Sequence, residues 1–285
     1  MIWESSLSTE PRVELTRYFC LSATRNRQYD EAEACIQLLD NVAATKSMAA
    51  FLRADLLEHK KEFVSAITEY EKSIELNKGK DSRLERTYRP LIRCILMSPQ
   101  PDYSLAEKYA LDWIRLRKTI FSLMALARVY LRWKHLGRQH KREVPADIDK
   151  RYVEALAVLE REPGVGSAHF ELKAEEAELS SNFKDALDYM DRAINADPRF
   201  ELRVERWRLM ARAGTSMAEQ VLDELHSARN NLEYRSNWRP FLPNLAETYA
   251  LALKNLSRGF GGVNTFASEL TNKEIGVIVA RVKRS

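Results

Sequence analysis

One short pattern, an aromatic residue followed three positions later by alanine, recurs along the chain and restricts its fold more than any other feature. It is clearest in two stretches, FVSAITEYEKSIELN at 63–77 and FKDALDYMDRAINAD at 183–197. Successive alanines are separated by 34, 40, 49, 31 and 32 residues, at Ala32, Ala66, Ala106, Ala155, Ala186 and, in a weaker copy, Ala218. Such spacings are typical of stacked helix pairs, because one pair alone does not bury its apolar face.

A second apolar helical pattern precedes the stronger copies. The residue twelve positions before the alanine is small in four of them: Cys20, Ala54, Cys94 and Ala174. Small residues let two helices approach closely, and larger apolar residues then fill the space to the next pair. Each unit is therefore predicted to be two amphipathic helices joined by a short turn.

This arrangement resembles the tetratricopeptide repeat (TPR) family, whose unit is a helix–turn–helix of about 34 residues. The positions that carry the resemblance in the second stretch are Ala186, Met190 and Ala193, followed by Pro198. The resemblance covers roughly residues 16–256. It implies an all-α fold, namely a right-handed α-solenoid of about seven TPR-like helix pairs with a C-terminal capping helix.

The predicted organisation is a repeat array at 1–258, followed by a glycine turn and a capping helix at 259–285. The fourth pair is sixteen residues too long. We therefore expect an irregular or mobile insertion near 135–146, where Gly137 and Pro145 interrupt the helical pattern. The stretch GFGG at 259–262 should end the preceding helix, and one amphipathic helix should span 264–283.

Several observations bear on compartment and chemistry. Cys20, Cys35 and Cys94 are odd in number and widely spaced, which favours a reducing compartment without disulfides. There is no signal-peptide pattern and no apolar run of membrane-spanning length, so the sequence favours a cytoplasmic protein without a membrane partner. No histidine or cysteine spacing suits a metal, and no catalytic constellation is evident. We expect no enzyme activity, metal or cofactor.

Charge is unevenly distributed although the net charge is only +4. Residues 112–142 contain nine Lys or Arg and one acidic residue, whereas residues 143–201 contain fifteen acidic residues and seven basic ones. In a solenoid, sequence neighbours become spatial neighbours. We therefore expect binding to be electrostatically polarised, so that a charged partner docks in one orientation.

The resemblance also implies a binding surface, since the first helix of each TPR pair lines a concave face. The family's surface positions correspond here to eleven candidates: Arg17, Arg25, Phe51, Asp55, Glu58, His59, Arg128, Arg132, Glu171, Glu175 and Glu178. The cations and Asn with which the family's carboxylate clamps hold a peptide C-terminus are absent as a set. The expected function is a non-catalytic scaffold that binds another protein or a peptide segment.

Two alternatives stay open. Similar degenerate arrays end multidomain signalling or defence proteins, so the chain is a candidate sensor or regulatory region of a larger protein. The second alternative is RNA binding, because the insertion and the helix before it combine an aromatic residue with cations. The residues concerned are Arg132, Trp133, Lys134, Arg138, Lys141 and Arg142.

Overall fold

The computed structural model describes residues 10–77 and 81–284, apart from the side chains at 10–11, 81–83, 232–237 and 239. These residues form fifteen α-helices and no strand, which confirms the all-α prediction. The chain divides into two compact units, residues 1–163 and 164–285. The boundary predicted at 258/259 separates the repeat array from the C-terminal cap. It is a different division from the one between the two compact units, and it stays a prediction.

The first unit consists of four helix pairs in chain order, with a short 3-10 turn, Ala43–Thr45, between the first two pairs. Its helices are α1 (Glu10–Arg25), α2 (Tyr29–Asp40), α3 (Lys46–His59), α4 (Phe63–Leu76), α5 (Asp81–Met97), α6 (Tyr103–Leu116), α7 (Ile120–Leu136) and α8 (Ile148–Glu160). Capping defines α7 sharply, because Thr119 and Ser122 form reciprocal side chain–backbone hydrogen bonds at its start.

Alternate helices of the first unit pack differently. The odd-numbered helices contact one another in order, α1 with α3, α3 with α5 and α5 with α7, whereas each even-numbered helix packs chiefly on its odd-numbered neighbours. We call α1, α3, α5 and α7 the A helices, and α2, α4, α6 and α8 the B helices. The A helices therefore form a continuous layer.

The second unit begins with a similar pair and then becomes less regular. Its helices are α9 (Gly166–Leu179), α10 (Phe183–Ala196), α11 (Phe200–Arg212), α12 (Thr215–Asn230), α13 (Leu232–Asn255), α14 (Gly261–Phe266) and α15 (Asn272–Arg284). Helix α13 is the longest helix of this unit and contains two prolines, Pro240 and Pro243. Buried Trp238, Leu242 and Leu245 extend its apolar side past both prolines.

The C-terminal segment forms two helices where one was predicted. Between α14 and α15 the backbone is non-helical, and a capping box starts α15. In that box the Thr271 N–H donates to Glu274 Oε2 at 2.8 Å, and the Glu274 N–H donates to Thr271 Oγ1 at 3.3 Å. Ile275, Ile278 and Val282 of α15 are buried, and α15 packs on α13.

The paired small residues lie at the helix–helix contacts. Ala66 and Ala186 are fully buried, as predicted, and they belong to the closely packed pairs α3–α4 and α9–α10. In the first pair the Cys20 Sγ donates a hydrogen bond to the Ala32 carbonyl oxygen at 3.7 Å, so the residues twelve positions apart are in contact. The other members of the series are also buried: Ala54, Cys94, Ala106 and Ala174.

The turn inside a pair is repeated as well. Arg27, Lys61 and Ser181 each end the first helix of a pair in a left-handed conformation, with φ of 65°, 62° and 61°. In each turn the following N–H donates to the carbonyl oxygen five residues back, as in a Schellman motif. The three bonds are Gln28 to Ala23, Glu62 to Leu57 and Asn182 to Ala177. Glycine usually occupies this left-handed position. Because Arg, Lys and Ser occupy it here, residue type did not predict these turns.

Replacing Ala186 by leucine should lower the free energy of unfolding by about 1–3 kcal/mol, because the larger side chain overpacks the α9–α10 contact. Ala196→Leu on the same helix is the matched control. Its side chain is exposed, so a change within about 0.5 kcal/mol is expected. Urea unfolding followed by circular dichroism measures both, and equal stability of the two variants would refute the predicted packing register.

Candidate binding face of the A helices

Five arginines form what we call the basic strip, on two neighbouring A helices. They are Arg86, Arg89 and Arg93 of α5, all exposed, and Arg128 and Arg132 of α7, both half-buried. Spacings of three and four residues keep the members of each helix on one face. Their charges are thus presented side by side.

Contacts between neighbouring A helices fix the alignment of this strip. The Arg89 guanidinium lies 5.0 Å from the centroid of the Phe121 ring. Farther along the same two helices, Arg132 Nη1 lies 3.4 Å from Met97 Sδ. Helices α5 and α7 therefore run in the same direction, and Phe121 and Met97 add exposed apolar surface beside the cations.

The predicted binding residues of α3 contact the basic strip through Arg93. Glu58 Oε1 accepts a hydrogen bond from Arg93 Nε at 2.5 Å, and its Oε2 accepts one from the Tyr70 hydroxyl at 3.0 Å. His59 Nδ1–H donates to the Asp55 carbonyl oxygen at 2.9 Å. The structure thus brings Asp55, Glu58 and His59 together, as an acidic edge next to the basic strip.

Asp55 is the most electrostatically unusual member of this edge. Burial raises the pKa of its carboxyl group above the ordinary value, and the charge of Glu58 acts in the same direction. The charges of His59, Arg25 and Arg93 oppose this rise in the pKa. Arg25, predicted from α1, therefore acts on Asp55 electrostatically.

The two remaining candidates of the first two pairs take part in local packing. Arg17 Nε donates to Glu14 Oε2 at 2.9 Å, and its guanidinium lies 4.3 Å from the Tyr18 ring centroid. Phe51 is half-buried and packs edge-on against Tyr70, with ring centroids 5.8 Å apart. Both side chains have intramolecular contacts that a partner would have to share.

The acidic candidates on α9 face arginines from the same unit. Arg199 Nη2 donates to Glu171 Oε1 at 2.6 Å. Glu178, with only 8% of its side chain exposed, accepts two hydrogen bonds from Arg208, at 2.6 and 2.7 Å, and another from Arg212. Glu175 is half-buried on the same helix. Arg199 and the arginines of α11 therefore compensate part of the negative charge of α9. Counting charges over residues 143–201 did not reveal this pairing.

The residues considered for RNA binding do not form one exposed surface in which an aromatic ring lies beside the cations. Trp133 is buried and stacks on Tyr103, with ring centroids 5.8 Å apart, so its ring is not presented beside the cations. Lys134 pairs with Asp149 at 3.0 Å, whereas Arg138 and Lys141 are exposed.

The insertion is irregular over residues 137–147 and packs against the preceding pair. Arg142 donates to the carbonyl oxygens of Pro101 at 2.8 Å and Gln100 at 3.1 Å. The Tyr103 hydroxyl lies 2.8 Å from His140 Nδ1. A Cβ at Gly137 would lie 2.5 Å from the Trp133 carbonyl oxygen, so the close approach there requires glycine.

The arginines of α5 were missed by the sequence reasoning. The predicted binding residues came from the first, second, fourth and fifth helix pairs, and none came from the third pair, to which α5 belongs. A signal was present, because Arg86, Arg89 and Arg93 follow the i, i+3, i+7 spacing of one helical face. Pro90, between them, lies inside α5.

The cysteines are packing residues in this structure. Burial raises the pKa of the Cys20 thiol to about 12 and also raises the pKa of Cys94. Neutral thiols are poor nucleophiles and poor metal ligands. Over the described ranges, no three His, Cys, Asp or Glu side chains lie close enough to share a metal ion. The same residues include no helix that is both long and apolar enough to cross a bilayer.

Comparison of the chain with protein-family models and with curated proteins gave no match.

Stability should depend on pH through Asp55. A folded-state pKa above the unfolded value means that the folded state binds the proton more tightly, so this group favours folding at low pH. Its contribution is lost as the pH rises from about 4 through the raised pKa. Asp55→Asn should therefore remove this dependence and raise the unfolding free energy at pH 7.

Urea unfolding from pH 4 to pH 8 measures this effect. Asp188→Asn, in an exposed pair with Arg192, is the control, and at pH 7 it should change stability by less than about 1 kcal/mol. If Asp55→Asn instead destabilises the protein at pH 7, the ionised carboxylate stabilises the fold, and the claim that folding raises the pKa of Asp55 is wrong.

Proposed function

We propose that this chain is a non-catalytic interaction scaffold that binds an acidic polypeptide segment along the A helices of its first unit. In this proposal the helix pairs are degenerate TPR-like repeats, stacked as in a right-handed solenoid. The recurrent small-residue contacts and the repeated left-handed turns support that assignment.

The observation that carries the proposal is the basic strip. Its arginines extend over two A helices and lie beside exposed apolar side chains, Phe121 and Met97. Cations next to apolar surface suit a peptide that carries acidic and hydrophobic side chains, and a layer of parallel helices offers a long contact surface. The buried thiols, whose raised pKa values disfavour nucleophilic chemistry, are consistent with binding without catalysis.

The polarity of the face favours one binding direction. Arg93 marks the boundary between the acidic edge of α3 and the basic residues of α5 and α7. An acidic segment would thus extend from α5 toward α7, away from Asp55 and Glu58. Complementary charge should accelerate association and make it sensitive to salt.

A peptide library selected on the full chain tests this function. Selected peptides should be enriched in Asp and Glu, and their affinity should fall as NaCl rises from 50 to about 300 mM. The double variant Arg128→Glu/Arg132→Glu should weaken their binding at least about tenfold, equivalent to about 1.4 kcal/mol.

The matched control is Arg115→Glu/Lys150→Glu, which makes the same charge change on the B helices α6 and α8 at exposed positions. Its affinity should remain within about twofold of the parent. Equal losses in the two double variants would show a non-specific charge effect. Unchanged affinity in Arg128→Glu/Arg132→Glu would show that the basic strip does not bind the peptide.

A further inference from the structure

A cavity of 530 Å³ opens at one end of the basic strip, where the starts of α5 and α7 meet the end of α6. Its volume is within the range of sites that hold a ligand side chain or a small molecule, about 300–1,000 Å³. All of its lining residues lie in the first unit.

One side of the cavity is apolar. Pro90, Trp113 and Phe121 form this wall, and Phe121 is half exposed at 51%. Trp113 is only 3% exposed, and its indole N–H has no hydrogen-bond acceptor in the described structure. An unsatisfied buried donor is unfavourable, so the apolar atoms of Trp113, and not its N–H, are its contribution to this wall.

The rest of the lining is charged and mainly positive. Among the lining residues whose side chains the structure describes, the cations are Arg86, Arg89 and Arg117 and the one carboxylate is Glu85, which pairs with Arg117 at 3.0 Å. Arg89 is placed over the Phe121 ring. A ligand that combines negative charge with an apolar group would complement both parts of the cavity.

We propose that this cavity is a subsite for a hydrophobic side chain flanked by carboxylates within an acidic polypeptide segment. The apolar side chain enters beside Trp113 and Phe121, and the neighbouring carboxylates pair with Arg86 and Arg117. This inference rests on the proposed function and adds the residue pattern that the partner must carry.

The surroundings favour a polypeptide over a nucleic acid. Sequence-tolerant binding of single-stranded nucleic acid uses successive aromatic rings on which bases stack. The next tryptophan along this part of the chain, Trp133, is buried against Tyr103 and supplies no such ring. The cavity is thus an apolar site at one end of a cationic surface, which suits an anchoring side chain.

Fluorescence anisotropy with labelled, C-terminally amidated peptides tests the subsite on the full chain. The probes are EDEFEDE, its serine counterpart EDESEDE, and the basic peptide KRKFKRK, with a twelve-nucleotide oligouridine as the competing class. EDEFEDE should bind at least about fivefold more tightly than EDESEDE, and more tightly than the other two probes.

Two exposed lining residues provide variants that should fold normally. Arg86→Glu and Phe121→Ser should each weaken EDEFEDE binding about fivefold or more, and Phe121→Ser should abolish the preference for phenylalanine over serine. Arg115→Glu, the same charge reversal on α6 outside the cavity, should change affinity less than about twofold. Thermal melting followed by circular dichroism checks that all three variants are folded.

Several results would overturn the subsite: no binding of EDEFEDE, tighter binding of oligouridine, or equal affinity for EDEFEDE and EDESEDE. Loss of EDEFEDE binding in Arg128→Glu/Arg132→Glu, but in neither cavity variant, would retain the basic strip as the binding face and reject the cavity. The failure of the subsite is thereby distinguished from the failure of the proposed function.

Discussion

The close contact between small residues of paired helices is the interaction on which the rest of the structure depends. Cys20 touches the backbone of Ala32, and Ala66 and Ala186 are fully buried in the corresponding contacts of later pairs. A larger residue there would cost about 1–3 kcal/mol through overpacking, a large fraction of the 5–15 kcal/mol that stabilises a typical domain. Because the contact sets how closely each pair packs, it also determines which side chains remain on the A-helix face.

The exposed charges act on a smaller energy scale and have a different role. An exposed ion pair contributes about 0–1 kcal/mol to stability, less than the cost of overpacking one small-residue contact. Buried Glu178 is different, since it accepts hydrogen bonds from two arginines, Arg208 and Arg212. Glu178 therefore helps to hold α11 against α9, whereas the arginines of α5 and α7 place positive charge along one face of the first unit.

Periodicity predicted the helix pairs and the buried alanines because both follow from residue size at fixed spacing. It did not predict the left-handed turns at Arg27, Lys61 and Ser181, where tertiary packing holds non-glycine residues in a conformation that their sequence does not favour. Nor could it predict ion-pair partners, as with Glu171 and Arg199, since these depend on which helices lie side by side. The sequence prediction thus placed candidate residues on α3 and α7 and none on α5.

The most direct test of the A-helix binding face is a map of backbone amide chemical shifts as EDEFEDE is titrated into the full chain. The largest changes should cluster at α5 and α7, around Arg86, Arg93, Phe121 and Arg132, and should be small on B helices α2, α4 and α8. Changes concentrated on those B helices, or confined to the second unit, would contradict the account.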